Sequence, residues 1–382
     1  MSYNSTQIRK LVWSLSSRLR GVATPDELYP LVYLARTALD ADKTGDAREA
    51  IEAASQGDDD IAALLRRSLD QLSASSSLDE LLNVVSSFDE ETIDEYLRNA
   101  PVAQGVFGGE SATPEGIARL ALAVLDVKPG EKVVDLGCGQ GNFLETVASR
   151  CPEAALTGVE LNPTALAIAK MRSNVTKSNI SYTCEDMFRF CEDSIEYDPA
   201  DKAFSNYPWG MQTRMFARTS HYMEKVLRGQ ERYNRPFSSD WVFNRLLVDS
   251  LREDGTAVAV MSNGACFNGM DRPVREYFAR NGFVKAMVAL PKGVFAPYTM
   301  IQTSLVVLCP GGSKGIRFVD ASDLGTNDRR SCSIDEEPIA TILERLGTDS
   351  EKSAFKTLKE IEARSFDLSA KRYLEKEIEV PN

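Results

Sequence analysis

Residues 135–141 read Asp-Leu-Gly-Cys-Gly-Gln-Gly. Glycines at Gly137, Gly139 and Gly141 let the backbone turn tightly and let a ligand approach the main chain closely. A glycine-rich turn alone also serves nicotinamide and flavin dinucleotides. Three features point to a different ligand. The spacing is G-x-G-x-G rather than G-x-G-x-x-G. Asp135 leads straight into the turn, where it would repel a pyrophosphate and receive an amine or amino-acid head group. Glu160 lies 25 residues after Asp135, at the end of the next apolar run, where a carboxylate can accept both hydroxyls of a ribose. One run further on, Asp186 is placed to accept from an adenine amino group, with Glu185 as the adjacent alternative. Three successive carboxylates suit a zwitterionic nucleoside without phosphate, and S-adenosylmethionine (SAM) has that chemistry. Cys138, Asn142, Phe143, Leu161 and Met187 flank these positions and are expected to complete the cofactor contacts.

A second constellation follows at Ser205-Asn206-Tyr207-Pro208-Trp209-Gly210. The exocyclic amine of a purine is a poor nucleophile because its lone pair is conjugated with the ring. Two acceptors, the Asn206 side-chain oxygen and the main-chain carbonyl of Tyr207, could take its two hydrogens and free the lone pair for in-line attack. Pro208 biases Tyr207 toward extended geometry. Trp209 offers a face on which an extruded base can stack. Asn206 would border the cofactor as well. Such chemistry needs no general base before transfer, and the chain has one histidine, His221, which is read as incidental.

These residues need strands and turns to hold them. EKVVDLG, ALTGVEL, ISYTCED, KAFSNYPWG, TAVAVMS, VKAMVALP and TSLVVLCP read as strands. Between them TPEGIARLALAVL, NFLETVASR, TALAIAKMRSNV, DWVFNRLLVDSLRED and RPVREYFARNG read as helices, the last two closed by Gly255 and Gly282. Strand–helix alternation with short turns predicts a doubly wound, Rossmann-like α/β sheet. The last two strands have only a short loop between them, which predicts an antiparallel hairpin at one edge. Before residue 101 the pattern is helical, with SASSS and QGDDD as joints and Asp79 and Asp89 as N-caps. The expected organisation is a helical domain over 1–100, the α/β domain over 101–312 and a partly helical C-terminal extension over 313–382.

Composition narrows the class. Seven cysteines form no C-x-x-C pair, which excludes a disulfide framework and a zinc site from the expectation. No metal is expected. No apolar run reaches the length of a membrane span, and the opening MSYNSTQIRKLVW lacks an apolar signal core, so a cytoplasmic protein without membrane contact is expected. The net charge of −12 opposes strong autonomous binding to a polyanion. A nucleic-acid substrate would therefore need a basic partner or a local basic cleft. Arg214, Arg218, Lys225, Arg228, Arg232 and Arg235 follow the second constellation and could line one, or could be an ordinary solvated surface.

The loop at 206–209 resembles Asn-Pro-Pro-aromatic, the signature of amino-group DNA methyltransferases, with Tyr207 in place of the first proline. The chain as a whole resembles the modification subunit of type I restriction–modification systems. TPEGIARLA (113–121), VAVMSNGACF (258–267), LPKGVF (290–295) and FDLSAKRYL (366–374) carry that likeness alongside the two loops, as do LVWSLSSRLRG and LYPLVYLARTAL in the helical part. The resemblance implies a SAM-dependent methyltransferase specific for adenine N6 in DNA, since asparagine at 206 favours adenine over cytosine. It puts Thr113 in the cofactor pocket. It implies a separate sequence-specificity subunit, because little beyond Pro310 could form a target-recognition domain, and a nuclease subunit as a further partner. The stripes Leu11, Val12, Leu15 and Leu28, Leu31, Leu34 are core, or else a docking face for a partner or for a second copy in a homodimer. Two other functions stay open: methyl transfer to RNA or protein, and a degenerate subunit that holds SAM without turning it over because Tyr207 alters the loop.

Overall fold

The computed structural model describes residues 6–18, 28–72, 78–99, 112–192, 198–210, 237–296, 299–328 and 331–374. The chain divides into two compact units, one made of residues 1–112, 139–141 and 162–184, the other of residues 113–138, 142–161 and 185–382.

The first unit is mainly helical. It holds α1 (Thr6–Arg18), α2 (Leu28–Asp40), α3 (Ala47–Ser55), α4 (Asp59–Leu72), α5 (Leu78–Val85) and α6 (Glu90–Asn99). Each helix is short and gains its stability by burying one apolar stripe against the others. Leu11, Leu15, Leu28, Leu31 and Leu34 are all inside one cluster, which α9 (Pro163–Thr176) joins through Ala167, Ile168 and Met171. The stripes are therefore core rather than a free docking face. Lys170 of α9 bridges Asp58 and Asp60 at the start of α4, at 2.8 and 2.6 Å. Asp89 caps α6 by accepting from the Thr92 amide at 2.8 Å. Asp79 does not cap α5, because that helix already begins at Leu78. It sits in the first turn, where a carboxylate interacts favourably with the helix dipole instead.

In the second unit the expected alternation appears. Its helices include α7 (Glu115–Leu125), α8 (Asn142–Arg150) and α10 (Met187–Phe190). Strands β1 (Lys132–Leu136), β2 (Ala155–Glu160), β3 (Ile180–Cys184, in the first unit), β4 (Ala200–Ser205), β5 (Leu251–Ser262), β6 (Val284–Ala289), β7 (Thr303–Leu308), β8 (Gly315–Asp320) and β11 (Ser353–Thr357) form one sheet. Its order is β11-β8-β6-β7-β5-β4-β1-β2-β3. A two-stranded ribbon, β9 (Thr326–Asp328) and β10 (Ser331–Ser333), stands apart. The β1–β2, β1–β4 and β4–β5 pairs are parallel, and β7 runs antiparallel between β5 and β6. The doubly wound α/β class is as expected from the alternation.

Two details differ from the sequence expectation. The antiparallel β6–β7 pair is not at an edge: β8 adds to β6 in parallel and β11 adds to β8 antiparallel. Residues after 312 thus supply two strands of the same sheet. Ile316, Phe318 and Val319 bury there. The helix from Asp240 ends at Asp249, not at Gly255. Its last turn closes when the Ser250 amide donates to Leu246 and Leu247. Leu251 then pairs with Ala200, while Thr256 pairs with Lys202, so the strand bulges between them. Gly255 belongs to that bulge: a Cβ there would meet the Arg252 carbonyl and Leu251 Cβ, both at 3.0 Å.

The chain runs outward from β1 through β2 to β3, then returns to the other side of β1 for β4 and β5. The two loops singled out by the sequence therefore leave the C-terminal ends of neighbouring parallel strands, at the point where strand order reverses. In open α/β sheets that reversal is where ligands bind.

Candidate active site

Asp135 is the fourth residue of β1, flanked in register by Gly158 of β2 and Phe204 of β4. It is 2% exposed. Its Oδ1 is buried without a hydrogen-bond partner among the described residues. A buried carboxylate left this way is costly unless a partner arrives. Burial first, and then the negative charge of Glu160, hold its carboxyl well above the ordinary aspartate range. A cation placed beside it would oppose both effects.

The glycine loop follows. Gly137, Gly139 and Gly141 all have positive φ, at 80°, 55° and 79°. A Cβ on Gly137 would lie 3.1 Å from Met187 Cε, and one on Gly141 would lie 2.6 Å from the Tyr182 hydroxyl. The loop is tied to β2 by the Gly137 and Cys138 amides, which both donate to the Val159 carbonyl, at 2.8 and 2.9 Å. Cys138 is buried, and burial raises its thiol, so it packs rather than reacts. Asn142 opens α8 and donates through Nδ2 to the Thr113 carbonyl at 2.9 Å. The Phe143 ring is buried and stacked on Phe204 at 4.2 Å.

Glu160 ends β2, and its carbonyl accepts from the Glu185 amide at 3.1 Å. Leu161 is 64% exposed, an apolar platform beside that carboxylate. Asp186 caps α10, accepting from the Phe188 amide at 2.8 Å. That bond fixes the carboxylate at the loop and is a structural use beside the expected one. Met187 begins α10, with its Cε toward Gly137.

The second loop begins where β4 ends. Ser205 donates to the Leu136 carbonyl, joining the ends of β4 and β1. Asn206 donates through Nδ2 to Thr113 Oγ1 at 3.2 Å. With Nδ2 turned to Thr113, the amide offers Oδ1 as its acceptor. Thr113 is thus shared: its carbonyl holds Asn142 and its hydroxyl holds Asn206. Trp209 donates through Nε1 to the Val260 carbonyl at 3.1 Å and meets Phe295 edge-on at 4.7 Å. The Gly210 amide donates to Asp240 Oδ2 at 3.2 Å. Asp240 is fully buried and also accepts from the Ser262 amide and hydroxyl, at 2.8 and 2.9 Å.

The structure therefore brings together Thr113, Asp135, Gly137, Cys138, Asn142, Glu160, Leu161, Asp186, Met187 and Asn206, on segments of the second unit. Gly139 and Gly141 continue the loop between them. The Tyr207 side chain enters the core, a placement on which the sequence expectation, which concerns its main-chain carbonyl, is silent. Asp240, Asn244 and the Val260 carbonyl were not foreseen; an acid and an amide inside DWVFNRLLVD carry no motif. His221 and the basic positions from Arg214 to Arg235 lie outside the described residues. No group of three or more His, Cys, Asp or Glu among the described residues could hold a metal ion. Nor is any described helix long and apolar enough to cross a membrane.

The chain is similar to several known proteins. The type I restriction enzyme MpnII methylase subunit of Mycoplasma pneumoniae is 23% identical over 342 residues, covering 79% of this chain and 62% of that protein. The MjaVIII methylase subunit of Methanocaldococcus jannaschii is 25% identical over 245 residues, covering 56% of this chain and 40% of that protein. The chain thus spans less than two thirds of the length of these curated relatives. Among solved structures, the type I restriction-modification methyltransferase subunit from Streptococcus thermophilus matches with a TM-score of 0.72 at 15% identity, covering 97% of this chain and 99% of that one. A modification subunit of a type I restriction enzyme from Vibrio vulnificus matches with a TM-score of 0.62 at 17% identity, covering 94% of each chain. These likenesses establish the fold. The sequence model described as N-6 DNA methylase matches residues 91–380, three quarters of the sequence, and the chain belongs to that family.

Proposed function

We propose that this protein is a SAM-dependent methyltransferase acting on adenine N6 in DNA, as the modification subunit of a type I restriction–modification system. One observation carries the cofactor part: the buried, unpartnered carboxylate oxygen of Asp135 beside the glycine loop. It fits a ligand whose head group is cationic and which has no phosphate. Glu160 would hold the ribose hydroxyls, Leu161 and Met187 would flank the adenine, and Asp186 or Glu185 would accept from its amino group. When bound, SAM supplies an electrophilic methyl group. The chain's own residues do the rest. Asn206 Oδ1 and the Tyr207 carbonyl accept from the target amine, which lifts its lone pair out of conjugation. Thr113 fixes the orientation of the Asn206 amide. Trp209, steadied by Val260 and Phe295, offers the target base a stacking surface.

The partners belong to the same reading. The relatives are named as methylase subunits of restriction enzymes, and a net charge of −12 suits a subunit that another protein brings to DNA. A separate specificity subunit and a nuclease subunit would complete the assembly, in the cytoplasm.

The test is methyl transfer from labelled SAM to unmethylated duplex DNA, RNA and protein, with and without the specificity subunit, followed by nucleoside analysis. N6-methyladenine in DNA is the expected product. Label in RNA or protein alone would overturn the substrate. SAM binding with no transfer to any acceptor would instead favour a degenerate subunit.

A further inference from the structure

Tyr207 stands where the Asn-Pro-Pro-aromatic pattern has a proline, and its side chain reaches away from the site into the core. The ring is 1% exposed. It stacks on Phe243 at 4.8 Å, with 21° between the planes. Its hydroxyl donates to Asn244 Oδ1 at 2.8 Å. Burial pushes the phenol well above its ordinary range, so it stays a donor. Asn244 Nδ2 in turn faces Met261 Sδ at 3.8 Å. Phe243 and Asn244 lie on the helix Asp240–Asp249. The first residue of that same helix accepts from the Gly210 amide. One helix therefore grips the loop on both sides of Trp209.

A proline restricts its own φ covalently and needs no neighbour. A tyrosine leaves φ free, so any rigidity at 207 must come from what its side chain holds. A buried hydroxyl whose acceptor is removed carries the full desolvation cost, so the loop is held in the one conformation that keeps this bond. We infer that Tyr207 is a positioning residue: through Asn244 and Phe243 it holds its own main-chain carbonyl in place to accept from the target amine, in the role that a proline's fixed φ would fill. This rests on the adenine-methylation reading above, and it makes Tyr207 an adaptation rather than a lesion.

The test compares the full chain with Tyr207→Phe, Asn244→Leu and the double variant, assayed with the specificity subunit. Phenylalanine keeps the stack on Phe243 and removes only the hydroxyl. Expected is a fall in kcat of about fivefold for each single variant, the scale of one net hydrogen bond, with KM for DNA and SAM affinity unchanged. The double variant should be no worse than the worse single, because both remove the same bond. Hydrogen exchange supplies a readout independent of turnover: the Gly210 amide should exchange faster in each variant, while the β1 amides do not change. Wild-type kcat and wild-type exchange in Tyr207→Phe would overturn the inference, as would losses that multiply in the double variant. If the unaltered chain transfers no methyl group to DNA, the activity reading fails by itself, and exchange at Gly210 still decides whether Tyr207 and Asn244 hold the loop.

Discussion

Asp135 is a carboxylate that the fold keeps short of partners, and this has a measurable sign. Its folded pKa lies above the ordinary value of 3.8. The folded chain then binds that proton more tightly than the unfolded chain, so stability falls as pH rises from the ordinary value through the raised one. Asp135→Asn removes this penalty. The variant should melt at a higher temperature than the parent at neutral pH without ligand, yet bind SAM about 10- to 100-fold more weakly, the scale of a lost charge-assisted bond. Thermal scans and titration calorimetry read both. In the parent, SAM binding should release a proton and tighten as pH rises toward the raised value. Calorimetry in buffers of different ionisation enthalpy would detect the release, and its absence would mean Asp135 is already ionised or does not meet the head group. At the second loop, Asn206→Ala should lower kcat by about 10²- to 10³-fold, as for loss of one preorganised group at a reacting centre. SAM affinity should fall by a few-fold at most, because in this reading Asn206 borders the cofactor but holds the acceptor amine. A variant that lost SAM binding in proportion to its rate would put Asn206 in the cofactor site alone.

At the scale of elements, the decisive arrangement is the reversal of strand order between β1 and β4. It sets the glycine loop and the loop at 206–209 side by side, and the Ser205 bond to the Leu136 carbonyl joins their roots. The far side of the sheet does a different job. β8 covers β6, which would otherwise present an open edge, and β11 in turn pairs with β8. Gly315 makes that pairing possible, since a Cβ there would lie 2.2 Å from the Lys356 carbonyl. Gly315→Ala should therefore force β11 away from β8 and cost about 1–3 kcal/mol, the range for overpacking. Denaturant melts would show the loss. SAM affinity should be unchanged below the melting transition, because this end of the sheet supplies none of the cofactor residues. Equal stability in the variant would mean that β11 can slide without penalty.

At the scale of the whole molecule the dominant feature is charge. With a net −12, the chain alone should bind DNA weakly, and affinity should come from a local basic stretch together with a partner. Replacing several of Arg214, Arg218, Lys225, Arg228, Arg232 and Arg235 by glutamine should weaken DNA binding by the assembled enzyme. It should flatten the salt dependence by about 0.9 in log–log slope for each phosphate that is no longer neutralised. Fluorescence anisotropy across a salt series measures this. An unchanged slope would assign those residues to a solvated surface. SAM affinity serves as the control, since that stretch is remote in sequence from the carboxylates.

The sequence by itself carried the expectation of the chemistry and of its order. Asp135, the three glycines, Glu160 and Asn206 announce a phosphate-free nucleoside followed by an amine acceptor, because turns and strand ends are encoded locally by residue type and period. The α/β alternation was legible for the same reason. What the sequence did not reveal lies in pairs with no local pattern. Asn206 and Thr113 are 93 residues apart, and Tyr207 and Asn244 are 37 apart. Only the folded chain decided that Thr113 bonds both Asn142 and Asn206, that the Phe143 ring stacks on Phe204, and that β8 and β11 extend the sheet past the antiparallel pair. It also placed the Tyr207 side chain against Phe243 and Asn244. In sequence this residue is a missing proline; in the structure its buried ring and hydroxyl are anchored, and burial makes such an anchor hold.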